Sequence, residues 1–180
     1  MLIMNHPDFT QIRRSIDEAI TYNQLENAKS LASHGLALAL KKNIKAEQMF
    51  FRAQFQIIDG DFTKAIGYLD QAIASNPCDG AAYNDKALCM LELGIIEGVE
   101  ECFDRGIAVE PDYDTIYHNK GWFLINLSRY NESLVLLHKA LELNPERAVT
   151  YENIAVVYER QNRMKEALGA YEKALELIDI

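Results

Sequence analysis

The stretch YHNKGWFLINLSRYNESLVLLHKALELNP, residues 117–145, is predicted to form two helices joined by a turn at residues 127–130. Apolar residues three and four apart in both halves are typical of helices that bury one face. A tyrosine opens the stretch, a glycine follows four residues later, and a proline closes it. The same order of residue types recurs at a fixed distance in both directions along the chain.

The recurrence has a period of 34 residues, since prolines stand at positions 77, 111 and 145 and tyrosines at positions 83, 117 and 151. Two sets of small residues keep the same step: Ala53, Ala87, Gly121 and Ala155, and Ala72, Gly106, Ala140 and Ala174. Small residues recur where two helices cross too closely for a branched side chain. A period of this length predicts a solenoid of stacked helix pairs.

The repeat resembles the tetratricopeptide repeat, whose pattern is W-x2-L-G-x2-Y, then A-x3-F, then P over 34 residues. The resemblance implies an all-α fold, a right-handed superhelical solenoid of five antiparallel helix pairs. The predicted boundaries are an N-terminal tail at 1–8, a degenerate first repeat at 9–45, and repeats at 46–79, 80–113, 114–147 and 148–180, with no separate capping helix.

Composition argues against several classes of partner. The net charge of −9 disfavours nucleic acid, whose phosphates need clustered Lys and Arg. No apolar run is long enough to span a membrane, and the N-terminus lacks the basic region of a secretory signal. The three cysteines are too far apart for a redox or zinc motif, so reduced thiols in the cytoplasm are expected.

The sequence contains no local motif for catalysis. No nucleophile stands beside a base in a recognisable pattern, and no glycine-rich phosphate loop follows a strand. The four histidines never reach metal-ligand spacing with one another or with a cysteine. We therefore predict no enzyme activity, no cofactor and no metal.

The resemblance implies a concave groove lined by one arc of the first helix of each repeat. On a helical wheel this arc is unusually apolar, and large exposed apolar patches generally have a use. Trp122 is predicted to be its main anchor, although it could instead pack only against Leu88 or Val156. The predicted groove residues are Phe50, Gln54, Ile57, Asn84, Leu88, Leu91, His118, Trp122, Ile125, Asn126, Glu152 and Val156.

The predicted function is that of a non-catalytic scaffold or adaptor holding an apolar or amphipathic peptide of another protein. Some relatives in the resembled family hold acidic chaperone tails with a clamp of Lys, Asn and Arg. In this chain the cation Arg13 is followed four residues later by the carboxylate Asp17, and Asp85 occupies a position where the clamp needs a cation or an amide. An acidic tail is therefore not the expected ligand.

The alternative function is a structural protein that assembles with its own copies, with a homodimer as the simplest form. The last repeat would otherwise expose its stacking surface to water, unless the segment LELIDI folds over it. The apolar N-terminal segment MLIM could also enter the groove of another copy. The residues predicted for self-association are Ile154, Val157, Leu168, Leu175 and Ile178.

Overall fold

The computed structural model describes residues 7–178, which form ten helices and no strand. The MLIM segment lies outside the described residues. The chain divides into two compact units, with the boundary between Val109 and Glu110. Unit 1 contains the helices α1 Pro7–Thr21, α2 Leu25–Lys41, α3 Lys45–Ile58, α4 Phe62–Ser75, α5 Gly80–Glu92 and α6 Val99–Val109.

Unit 2 contains the helices α7 Asp114–Asn126, α8 Tyr130–Leu143, α9 Ala148–Arg160 and α10 Met164–Ile178. Within each unit an odd-numbered helix packs against the even-numbered helix that follows it, and the even-numbered helix packs against the next odd-numbered one. The predicted all-α class, built of consecutive helix pairs, is confirmed.

The turn inside each pair has the same geometry in all five repeats. The residue that follows the first helix by two positions has a positive φ: Asn23 (55°), Gly60 (76°), Gly94 (73°), Ser128 (59°) and Asn162 (58°). The next residue donates its backbone N–H to a carbonyl five residues earlier, as Arg129 does to Leu124 at 2.9 Å. This pairing is the Schellman motif, which satisfies the last carbonyls of a helix.

Three of the four turns between repeats contain proline, whereas the turn between α2 and α3 has Asn43 with a φ of 54°. Asn76 (φ −142°, ψ 90°) and Asn144 (φ −140°, ψ 88°) adopt almost identical extended conformations, as expected for a residue before proline. The next helix begins three residues after each proline. In repeat four the repeating tyrosine is tied to this turn, since the hydroxyl of Tyr117 donates to the carbonyl of Pro111 at 3.0 Å.

The small residues lie where helices come closest. All four members of the first set are buried, and a Cβ built at Gly121 would lie 2.8 Å from two side-chain atoms of Leu137 in α8. A Cβ at Gly35 in α2 would lie 2.3 Å from the ring of Phe51 in α3. Separations this short are closer than carbon atoms allow, so glycine sets the distance between these helices.

Helix α6 departs from the repeat. The 34-residue step places its first residue at Ile96, but the helix begins at Val99. Gly98 has a φ of 81°, which interrupts the first turn. The turn that follows α5 therefore continues to Gly98, and Ile95 and Ile96 are exposed on it.

Candidate functional site

The arc of unit 2 contains an exposed aromatic side chain on a helix that is mostly buried. Eight of the thirteen residues of α7 are buried, including Phe123 and Leu124, yet Trp122 remains 42% exposed. Ile125 on the same helix and Val156 on α9 are half-buried. Asn126 is exposed, and its amide donates to the carbonyl of Trp122 at 2.9 Å. These four residues form what we term the unit 2 arc.

Glu152 is half-buried beside this arc, but His118 does not contribute to its surface. His118 is buried, with Nδ1 at 2.9 Å from the hydroxyl of Thr150. The amide nitrogen of Asn153 stands 3.5 Å from Nε2 of the ring. Burial, together with the charge of Arg147, lowers the pKa of His118 to about 3 and keeps the ring neutral.

In unit 1, three of the predicted groove residues are buried. Phe50 lies beneath the guanidinium of Arg13, 3.6 Å from its ring centre. The amides of Gln54 and Asn84 both donate to Asp85, at 2.5 and 3.1 Å. Phe50, Gln54 and Asn84 are at most 2% exposed, so their placement in an open groove is wrong.

The other predicted groove residues of unit 1 are half-buried and apolar: Ile57, Leu88 and Leu91. Phe50, Gln54 and Asn84 are more deeply buried than these three residues because the first helices of successive repeats contact each other through the inner positions of the arc. A wheel drawn for one helix cannot show contacts between residues about one repeat apart.

Arg13 on α1 is paired with Glu47 on α3 and with Asp79, the residue that caps the start of α5. Its guanidinium donates to Asp79 at 2.7 and 2.9 Å and to Glu47 at 2.9 and 3.3 Å. Burial opposes the charge, but these two carboxylates hold the pKa of Arg13 above its ordinary value. The cation is thus neutralised inside the protein, at the position considered for an acidic-tail clamp.

Asp85 lies in the same buried region. Burial, reinforced by the charge of Asp17, raises its pKa to about 7, although the two amide donors oppose the shift. Burial and the nearby Asp85 also raise the pKa of the Cys89 thiol to about 12. A thiol of this kind is protonated at neutral pH and is a poor nucleophile.

The predicted self-association residues divide into two groups. Leu168, Leu175 and Ile178 on α10 are each 57–59% exposed, as predicted. Ile154 and Val157 are buried, so their predicted exposure is wrong. Both pack with Leu137 in a core cluster, because their side of α9 faces α8 of the preceding repeat.

A groove in unit 2 was not predicted from the sequence. It has a volume of about 880 Å³ and lies among α8, α9 and α10, with Tyr151, Ile154 and Tyr158 among its lining residues. Gly169 borders it, and a Cβ there would meet nothing within 4 Å. Because three helices contribute, no pattern within one helix indicates it.

Within residues 7–178, no cluster of His, Cys, Asp and Glu has the arrangement of a metal site. The described helices are also too short or too polar to cross a bilayer. The three cysteines are not joined in disulfides.

The comparisons with known proteins agree with the repeat. Models of the tetratricopeptide repeat match residues 59–98 and 112–179. The chain therefore belongs to the tetratricopeptide repeat family.

Relatives and solved structures support this assignment. An uncharacterized protein of Methanocaldococcus jannaschii is 38% identical over 72 residues, which cover 39% of this chain and 84% of that protein. Hsp70-Hsp90 organizing protein 3 of Arabidopsis thaliana is 23% identical over 57% of this chain, which spans only 18% of that protein's length. The crystal structure of MamA superposes with a TM-score of 0.68 at 17% identity, covering 91% of this chain and 94% of MamA.

Proposed function

We propose that this chain is a non-catalytic protein-interaction module of the cytoplasm whose unit 2 arc holds an apolar or amphipathic peptide segment of another protein. The observation that carries the proposal is the exposure of Trp122 on a helix that is otherwise mostly buried. An exposed tryptophan beside half-buried aliphatic side chains is a typical anchor for a partner. The plant relative, named as an organizer of Hsp70 and Hsp90, supports an adaptor role.

The geometry favours apolar ligands over acidic ones. Trp122, Ile125 and Val156 supply the apolar area, and the nearest half-buried charge on α9 is the carboxylate of Glu152. Burying on the order of 400 Å² of apolar surface gives about 10 kcal/mol at 25 cal/mol per Å². Association costs about 4–15 kcal/mol, so at most about 6 kcal/mol remains, and the dissociation constant should be tens of micromolar or weaker.

Trp122 is the only tryptophan of the chain, so its fluorescence can report binding directly. We expect a blue shift when amphipathic helical peptides with Leu or Phe at i, i+3 and i+4 are added. No shift is expected with peptides that end in an acidic run. The opposite preference would refute the proposed ligand class.

Trp122→Ala tests the anchor, with Val135→Ala as the matched control, because Val135 is also exposed on a unit 2 helix. Trp122→Ala should weaken peptide binding at least tenfold, measured by calorimetry, while helical content and melting temperature remain nearly unchanged. Val135→Ala should bind normally. A Trp122→Ala protein that unfolds, or that binds like the wild type, would remove Trp122 from the proposed site.

A second candidate function is self-assembly. The specific observation in its favour is the exposure of Leu168, Leu175 and Ile178 along one helix.

A further inference from the structure

Helix α10 presents a continuous apolar stripe, which we define as Met164, Leu168, Tyr171, Leu175 and Ile178. Its members are spaced by four, three, four and three residues. The four aliphatic members are 57–59% exposed, and Tyr171 is half-buried. Apolar residues that alternate in this way allow two helices to stay in contact along their length.

The same positions one repeat earlier show what such a stripe contacts. Moving the fifth member, Ile178, back by 34 residues gives Asn144, which follows the end of α8, and moving the other four gives Tyr130, Leu134, Leu137 and Leu141 on α8. These side chains pack in the core cluster with Ile154 and Val157 of α9. In the preceding repeat, therefore, a helix covers the stripe. The first four members of the α10 stripe are also apolar and stand in the same register, so its complement is also a helix with an apolar face.

We infer that α10 of a second copy of this chain covers the stripe, antiparallel and related by a two-fold axis. Among the described residues, no other helix carries three or more large exposed apolar side chains. The remaining exposed apolar residues lie on turns, as Ile95 and Ile96 do, or at isolated points on helices, as Val135 does. The surface that complements the stripe is therefore the same stripe on a second copy of the chain, as in an isologous dimer interface.

The charges beside the stripe determine the orientation. Lys165 and Glu172 are exposed on the solvent side of the stripe, one in each half of α10. A parallel arrangement would put each of them at the level of the identical residue in the other copy. An antiparallel arrangement brings Lys165 of one copy towards Glu172 of the other, and the two-fold axis makes this contact twice. Opposite charges at such flanking positions set the orientation of paired helices.

This inference rests on the second candidate function, self-assembly, and is independent of peptide binding by Trp122. Five side chains on one helix bury roughly half of the ~800 Å² per partner found in a standard interface. The dimer should therefore dissociate in the micromolar range.

Sedimentation of the full chain at increasing concentration tests the inference. The wild type should move from one chain mass of 20.5 kDa towards twice that value. Leu168→Glu with Leu175→Glu should remain monomeric with unchanged helical content, because both side chains are already exposed. Val135→Glu is the matched control and should dimerise normally. A wild type that stays monomeric at hundreds of micromolar, or a double variant that still dimerises, overturns the inference.

A charge reversal tests the orientation. Lys165→Glu alone should weaken dimerisation about three- to tenfold, because it places two carboxylates together twice. Adding Glu172→Lys should restore the wild-type constant in an antiparallel dimer. A Lys165→Glu variant that dimerises like the wild type, as expected for parallel helices, or a double reversal that restores nothing, overturns the antiparallel arrangement.

The two proposals fail separately. Trp122→Ala should leave the dimerisation constant unchanged, and the Leu168→Glu and Leu175→Glu variant should bind peptides normally. A wild type that binds peptides but stays monomeric would contradict only the α10 stripe, and a wild type that dimerises but binds no peptide would contradict only the unit 2 arc.

Discussion

Gly121 lies where even a methyl group would collide with Leu137. Gly121→Ala should lower the free energy of unfolding, since overpacking costs about 1–3 kcal/mol and the better helix propensity of alanine recovers at most about 1 kcal/mol. Gly121→Leu should cost more, and so should Ala155→Leu at the equivalent crossing in repeat five. Chemical denaturation followed by circular dichroism measures each change.

Gly169 provides the matched control for this substitution. It is exposed within α10, and a Cβ there meets nothing within 4 Å. Gly169→Ala should therefore stabilise the protein by about 0.5–1 kcal/mol. Equal effects at positions 121 and 169 would contradict the close approach of α7 and α8.

Single residues also show where the sequence was insufficient. The exposure of Trp122, Leu168 and Leu175 agrees with a wheel drawn for each helix alone. The burial of Gln54 and His118 could not be read from such a wheel. Their partners, Asp85 and Thr150, lie 31 and 32 residues further along the chain. Such polar pairs depend on the exact stacking of neighbouring helices, which hydrophobic periodicity does not define.

At the scale of the helix, the left-handed residue of each turn gives a test. Ser128 adopts a φ of 59°, a conformation that costs a residue with a Cβ roughly 1–2 kcal/mol. Ser128→Gly should raise the free energy of unfolding by about 0.5–1 kcal/mol, after subtraction of the greater flexibility of glycine in the unfolded chain. Ser128→Val should lower it, and thermal denaturation would show both shifts. A destabilised Ser128→Gly protein would contradict the turn geometry.

The helices themselves could largely be predicted, since apolar spacing and the 34-residue step indicate both members of each pair. The late start of α6 could not, because Gly94 and Gly98 follow each other closely and either could end a turn. The Schellman geometry shared by the five turns could not be predicted from the sequence either. The left-handed position of the turn is occupied by Asn, Gly or Ser, and only the backbone angles show that these residues adopt one conformation.

At the scale of the molecule, two buried groups should make the units respond oppositely to acid. The pKa of Asp85 in unit 1 is raised from 3.8 to about 7, so in this range the unfolded chain loses a proton that the folded unit keeps. Unit 1 therefore loses stability as the pH rises from 4 to 7. The pKa of His118 in unit 2 is lowered from 6.5 to about 3, so unit 2 loses stability as the pH falls below 6.5.

Each group can contribute a slope of up to about 1.4 kcal/mol per pH unit within its window. Amide hydrogen exchange at pH 5 and pH 7, corrected for the intrinsic rates, would follow α3 and α5 separately from α7 and α9. Asp85→Asn should remove the pH dependence of unit 1 alone, and His118→Asn that of unit 2 alone. Parallel responses of both units in the wild type would contradict the assignment.

The two Asn-Pro turns at residues 76–77 and 144–145 have a consequence for the history of the gene. Because Asn76 and Asn144 adopt nearly the same backbone angles, a crossover that joins Asn76 directly to Pro145 recreates a peptide junction of the original kind. The exchange deletes two whole repeats, and its reciprocal duplicates them, without requiring any new turn. Arrays of this kind can therefore lengthen or shorten by unequal recombination while each inherited junction stays locally unstrained.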